Sequence, residues 1–137
     1  MADPVLLGPA ALLVAATAYG TAVAITRPEL LGEPFGLRLP GRVRTHVVLG
    51  LGSAVSAPWP MPALALWAAV CGTPGSGRAA CTVAVVGTGV LAGVLAEPLT
   101  WGRRPAPPSA RATIPLHLVV GAAMVGAGAY RLGRRLP

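Results

Sequence analysis

Long apolar blocks, separated by short stretches rich in arginine, proline and glycine, make up most of this chain of 137 residues. The first block covers residues 5–26, the third 79–98 and the fourth 114–132. Each has roughly the 20 residues that cross the hydrocarbon core of a bilayer as a helix. The pattern therefore predicts an all-α membrane protein.

The second block, residues 45–71, is longer than one span needs, and it contains Pro58, Pro60 and Pro62. Proline removes a backbone donor and kinks or breaks a helix. In one interpretation the block crosses once, kinked or broken at these prolines, which gives a compact bundle of four transmembrane helices. In the other it enters and returns as a hairpin. We favour the single crossing within one membrane domain, residues 1–137, and leave the topology open.

The composition determines how the positive net charge of the chain is interpreted. Hydrophobic residues make up 54% of the chain and charged residues 11%, against about 25% charged in a soluble domain. The net charge of +7 comes from arginines between the blocks and in the tail, where charges set topology rather than bind nucleic acid. Arginine without lysine suggests a GC-rich bacterial genome. We predict a multi-pass protein of the bacterial inner membrane, with the lipid bilayer and no nucleic acid as partner.

Glu97 is the one acidic residue inside an apolar block, since Asp3 is predicted to be solvated and the other two glutamates lie between blocks. It precedes Pro98, and the residue before proline avoids the α region, so the third helix is predicted to end near Glu97. A helix C-terminus and low dielectric both raise the pKa of a carboxyl. Arg103 and Arg104 would lower it if they fold back.

A four-crossing bundle brings both histidines, His46 and His117, to the same side as Glu97, whereas a hairpin would separate His46 from it. An ionisable residue inside a membrane is by default a functional-site hypothesis, and a carboxylate with an imidazole is a workable acid–base pair. The alternative, that Glu97 only snorkels to water and pairs with an arginine, stays open. The predicted catalytic residues are Glu97, His117 and His46, and the predicted substrate-binding residues are Trp101, Arg103 and Tyr19.

The two cysteines, Cys71 and Cys81, are predicted to be either a disulfide or, more in keeping with their surroundings, free buried residues. They form no CxxC motif, and no metal site or cofactor motif is recognisable. Small residues recur at helix-face spacing, as in Gly89-x-x-x-Gly93, which permits close helix contact. The sequence thus predicts no cofactor and no metal ligand, and allows a homo-oligomer formed through glycine-rich faces.

These features favour a small intramembrane enzyme that performs acid–base chemistry on a lipophilic small molecule. Isomerisation, cyclisation or epoxide opening would need no cofactor, so an isomerase or a cyclase is the leading hypothesis. The first alternative is a non-catalytic membrane assembly or binding subunit. A small proton-coupled exporter is the third, and the position of Glu97 near one end of a span disfavours it.

Overall fold

The computed structural model describes residues 2–38, 40–49 and 52–134, and this part of the chain folds into helices and connecting loops without a strand. The all-α prediction is therefore confirmed. Two short 3-10 turns, Pro28–Leu30 and Pro34–Gly36, lie in the loop after the first helix. The α-helices of the described residues are α1 (Pro4–Thr26), α2 (Val43–Leu49), α3 (Pro60–Cys71), α4 (Gly77–Ala96) and α5 (Pro108–Gly133).

Three of these helices, α1, α4 and α5, are long and apolar enough to cross a membrane, judged by length and composition. The block predicted over 45–71 is not one continuous helix. It forms α2, with seven residues, and α3, with 12, and residues 52–59 between them have no regular helical structure. A helix of 12 residues is too short to cross a bilayer alone.

Local sequence explains where the long helices begin and end. The Asp3 carboxylate caps α1 by accepting the N–H of Val5 at 3.1 Å, and Pro4 occupies the first turn, where its missing N–H costs nothing. Helix α4 ends at Ala96, and Glu97 has extended backbone angles as its C-cap, as expected for a residue before proline. Helix α5 begins at Pro108, earlier than the hydropathy pattern predicts.

The most extensive helix contact is between α4 and α5, and glycines allow these two helices to approach closely. A Cβ atom added at Gly87 would lie 2.7 Å from the Cβ of Met124, and one added at Gly128 would lie 2.6 Å from the carbonyl oxygen of Ala80. Such distances exclude any side chain, so the two backbones approach closely, as small residues permit in membrane helices. The tight pairs are thus not the Gly89 and Gly93 spacing singled out in the sequence.

Cross-helix contacts define two ends of the bundle. At one end the N–H of Asp3 donates to the carbonyl of Ala69 at 3.1 Å, and the guanidinium of Arg131 binds the Asp3 carboxylate at 2.6 Å. The start of α1 and the ends of α3 and α5 therefore meet there, at what we name the Asp3 end. At the other, the Glu97 end, the N–H of Glu33 in the loop after α1 donates to the Glu97 carboxylate at 3.0 Å.

Candidate functional site

A cavity of about 300 Å³ lies between α4, α5 and the irregular residues 53–58, close to the Glu97 end. Its wall is mostly aliphatic, with residues such as Val90 and Ile114. Most small-molecule sites have this composition, in which an apolar wall carries a few polar groups that fix orientation. The polar side chains of the wall belong to Ser53, Ser56, Glu97, Thr113 and His117.

Glu97 is 7% exposed and lines this cavity just after the last residue of α4. Its carboxylate accepts the N–H of Glu33 at 3.0 Å and 3.2 Å to its two oxygens. Burial raises the pKa of Glu97 above the usual carboxyl range, and the hydrogen bond from Glu33 and the charge of Arg104 offset this only in part. The carboxyl therefore favours its protonated form more than an exposed glutamate does.

Arg104 folds back toward Glu97, but it binds the loop after α1 instead of the Glu97 carboxylate. Its Nη1 donates to the carbonyl of Leu31 at 2.9 Å and lies 3.7 Å from the Glu33 carboxylate, and its Nη2 donates to the carbonyl of Glu29 at 2.6 Å. Within the described residues no guanidinium forms a salt bridge with Glu97. The interface anchor considered from the sequence, an arginine-paired Glu97, is absent there.

His117 lines the same cavity from α5 and is 3% exposed. Its Nδ1 lies 2.8 Å from the carbonyl oxygen of Thr113. A carbonyl oxygen only accepts hydrogen bonds, so Nδ1 carries the proton of the neutral ring and Nε2 carries a lone pair. Nε2 is buried and finds no hydrogen-bond partner among the described residues. The cavity wall thus includes a histidine ring whose buried Nε2 has an unused lone pair.

The other predicted catalytic residue, His46, lies outside the cavity wall. Its Nε2 is 2.8 Å from the carbonyl oxygen of Pro40, and the ring packs against Gly41, where a Cβ atom would lie 2.7 Å from Nε2. The ring is therefore occupied by the loop that precedes α2. The structure brings Glu97 and His117 together and leaves His46 apart from them.

The three predicted substrate-binding residues also lie outside the wall. Trp101 is 60% exposed, and its indole N–H donates to the carbonyl of Leu95 at 2.8 Å. Arg103 is exposed, and the hydroxyl of Tyr19 donates to the carbonyl of Ser109 at 3.2 Å on the exposed surface. Their proposed roles stay predictions, since these positions neither contact the cavity nor exclude a substrate that reaches beyond it.

Sequence reasoning did not assign Ser53, Ser56 and Thr113 to the site, because these residues carry no motif. It did single out Gly89 and Gly93, but for helix packing, whereas both line the cavity. The spacing of Gly89 and Gly93, four residues apart, does indicate a face of α4 that carries no side chains. Only the positions of α5 and residues 53–58 decide that this face borders a cavity.

Neither cysteine is bonded: Cys71 and Cys81 are free and exposed, so the expectation that they are buried is wrong. Across residues 2–38, 40–49 and 52–134, no group of three or more histidine, cysteine, aspartate or glutamate side chains is arranged to hold a metal ion. Comparison of the chain with protein-family models, curated proteins and solved structures finds no match. The cavity is therefore the feature from which a function can be inferred.

Proposed function

We propose that the chain is a bacterial inner-membrane protein with four crossings, of which the second is discontinuous and consists of α2, the irregular residues 52–59 and α3. Val47 of α2 packs in a buried cluster with Leu30 and Leu99 beside the Glu97 end, and Ala69 of α3 contacts the Asp3 end. These contacts at opposite ends of the bundle support a single crossing by α2 and α3 over a hairpin that returns to its starting side. Irregular backbone is tolerated at membrane depth where it lines a cavity, as residues 53–58 do.

Within this fold we propose a cofactor-independent enzyme that performs acid–base chemistry on a lipophilic substrate held in the cavity. One observation carries the proposal. Glu97, directly after α4, and His117, on α5, line one apolar cavity. His117 Nε2, with its unused lone pair, takes a proton from the substrate, and the carboxyl of Glu97 gives one to another substrate atom. Exchange with solvent then removes the proton from His117 and returns one to Glu97. An isomerisation or a cyclisation of this kind leaves the substrate's proton count unchanged.

A deuterium experiment tests this function even while the substrate is unidentified. The purified protein, in nanodiscs that contain a bacterial lipid extract, is incubated in D₂O, and the lipids are analysed by mass spectrometry. Acid–base catalysis at carbon exchanges protons with solvent, so we expect a lipid species that gains deuterium only when the protein is present. Glu97→Gln and His117→Gln should each abolish this gain by removing an acid or a base from the cavity.

Glu29→Gln is the matched control, because it makes the same change of acid to amide at a side chain that is 60% exposed in the loop after α1. This variant should keep the full deuterium gain. If no lipid gains deuterium, or if Glu97→Gln and His117→Gln both exchange as the wild type does, the acid–base proposal is wrong.

A second function, a non-catalytic membrane assembly subunit, is favoured by the exposure of Gly89 and Gly93 one turn apart on α4. A helix of another chain that packs against this face would approach its backbone closely. Gly93→Leu would then dissociate the complex, which native mass spectrometry from detergent measures, while Glu97→Gln would leave it intact. A wild-type protein that is monomeric and without partners in native membranes contradicts this function.

A further inference from the structure

The most exposed part of the cavity wall lies on α4, where a Cβ atom added at Gly89 would be 2.9 Å from the Cε of Met61. Of the residues that line it, the exposed ones are Gly89 and Gly93, and the rest of the wall is buried or half-buried. A Cβ atom added at Gly93 would meet nothing within 4 Å, so open space lies directly in front of that position. On the same face of α4, one turn before Gly89, Val85 is 63% exposed. The opening therefore faces the lipid that surrounds a membrane-spanning helix.

The polar atoms of the wall show what kind of group would complete the cavity. The hydroxyl of Thr113 donates to the carbonyl of Ala110 at 2.6 Å, and that of Ser56 has backbone carbonyls of Thr17 and Ala57 within 3.2 Å. These hydroxyls have partners, whereas the buried Nε2 of His117 finds none in the described part of the chain. Because Nε2 carries a lone pair, a hydrogen-bond donor is what the wall lacks.

We propose that the cavity binds the head of a lipophilic alcohol, which moves from the bilayer past Gly93 and whose hydroxyl donates a hydrogen bond to the Nε2 of His117. This inference rests on the proposed function and names the substrate class and the route for the same cavity. A volume of about 300 Å³ is at the lower limit of ligand sites, which range from about 300 to 1,000 Å³. The cavity thus holds the hydroxyl and the adjacent carbons, and a longer chain remains among the lipid tails.

Photolabelling with two matched probes tests both parts of the proposal. One probe is a long-chain alcohol with a diazirine near the hydroxyl, and the other is its methyl ether, which lacks the donor. Each is added to the wild-type protein in nanodiscs of phosphatidylethanolamine and phosphatidylglycerol, and labelled peptides are mapped by mass spectrometry. We expect the alcohol to label residues 53–61 and 89–97 about fivefold to tenfold more than the ether, the effect of one buried hydrogen bond.

Two glycine-to-leucine variants test the route by which the alcohol enters the cavity. Gly93→Leu places a side chain in the opening and should reduce alcohol labelling of the cavity peptides to the level of the ether. Gly126→Leu is the control, because this exposed glycine of α5 also has nothing within 4 Å of an added Cβ but lies outside the cavity. It should label as the wild type does. His117→Leu should remove the preference for the alcohol over the ether.

Equal labelling by alcohol and ether overturns the donor assignment, and unchanged labelling of Gly93→Leu overturns the route. The deuterium experiment separates these failures from failure of the proposed function. If lipids gain deuterium but the alcohol probe labels no cavity peptide, the acid–base function stands and this inference is wrong. If the alcohol labels the cavity as expected but no lipid gains deuterium, the binding site stands and the catalytic function is wrong.

Discussion

Two buried carboxylates, Asp3 and Glu97, lie at opposite ends of the bundle and have opposite surroundings. Asp3 is 4% exposed and accepts hydrogen bonds from Nη2 and Nε of Arg131 at 2.6 Å and 3.1 Å. Glu97 is 7% exposed and accepts only the backbone N–H of Glu33 among the described residues. The expectation that Asp3 is solvated is therefore wrong, because Arg131 folds onto it.

The helix termini increase this contrast. Asp3 caps the N-terminus of α1, where the partial positive charge of the helix favours an anion, and Glu97 follows the C-terminus of α4, where the partial negative charge disfavours one. Burial alone would raise the pKa of Asp3, yet its hydrogen bonds to Arg131 and Val5 and the charge of Arg131 hold it below its usual range. The comparison teaches that burial alone does not make a carboxyl reactive. The lack of a salt bridge to Glu97 and its position after a helix C-terminus distinguish it from Asp3.

The largest expected effect is the difference in unfolding free energy between two glycine-to-leucine variants, one at each end of the bundle. Gly128→Leu at the Asp3 end would drive a Cβ atom to 2.6 Å from the carbonyl oxygen of Ala80, which we expect to cost about 3 kcal/mol of unfolding free energy. Gly93→Leu at the Glu97 end should change it by less than about 1 kcal/mol, in the stabilising direction of helix propensity. Thermal unfolding in detergent measures both. If Gly93→Leu destabilises the protein as much as Gly128→Leu does, the space in front of Gly93 is not open.

Removal of the Arg131 guanidinium should leave Asp3, like Glu97, without a salt bridge. Arg131→Met breaks two hydrogen bonds to a charged carboxylate, and we expect a loss of about 2 kcal/mol in unfolding free energy. Arg78→Met, at an exposed arginine near the start of α4, is the control and should be neutral within about 0.5 kcal/mol. Denaturant unfolding in mixed micelles measures the difference. If Arg131→Met leaves the unfolding free energy unchanged, the pair of Arg131 and Asp3 contributes nothing to the stability of the Asp3 end.

The pH dependence of stability should have opposite signs at the two carboxyls. The pKa of Asp3 is lowered in the folded protein, so its contribution is present above its unfolded pKa and is lost as the pH falls through the folded value. The pKa of Glu97 is raised, so its contribution is present below its unfolded pKa, about 4.3, and is lost as the pH rises through the folded value.

Glu97→Gln should therefore abolish the loss of stability above about pH 4, while leaving the acid-side loss that depends on Asp3. Melting temperatures measured from acid to neutral pH test this, and the carboxyl infrared difference between wild type and Glu97→Gln follows the titration directly. Parallel pH profiles of the two proteins would contradict the raised pKa of Glu97.

The smallest effect is expected just beyond Glu97. Trp101→Phe removes the hydrogen bond from the indole to Leu95 but keeps an aromatic ring on the exposed surface, so we expect a change of about 0.5 kcal/mol. It is measured in the same unfolding experiment. A loss as large as that of Arg131→Met would show that the turn after Glu97, rather than the cavity, determines the properties of that end.

The sequence predicted the helical class and the end of α4, because apolar length and the residue before Pro98 are local signals. It placed the start of α5 at residue 114 because hydropathy does not register that Pro108 opens a helix and that Arg111 is exposed in the first turn. It indicated a break near Pro58, but the irregular stretch is wider, since Ser53 pairs with Ser56 and with Leu31, and the N–H of Ala54 donates to the carbonyl of Leu30.

The candidate site was predictable only in part, for a physical reason. Glu97 and His117 are ionisable residues in or next to apolar blocks, which is a signal that any single sequence shows. That His117 lines the cavity whereas His46 binds the carbonyl of Pro40 depends on the path of the loop after α1. Side-chain partners that are this distant along the chain are set by packing, and no local pattern encodes them.

The start of α3 leaves few backbone N–H groups free. Pro60 and Pro62 have no N–H to expose, and the N–H groups of Met61 and Ala63 donate to Pro58 and Trp59 at 3.0 Å and 3.2 Å. Interrupted helices elsewhere use free N–H groups at such ends to hold ions. In the proposed discontinuous crossing, these four residues offer no donor that would retain an anion or a file of water. The proposed break therefore makes room for a ligand without creating an anion site at the start of α3.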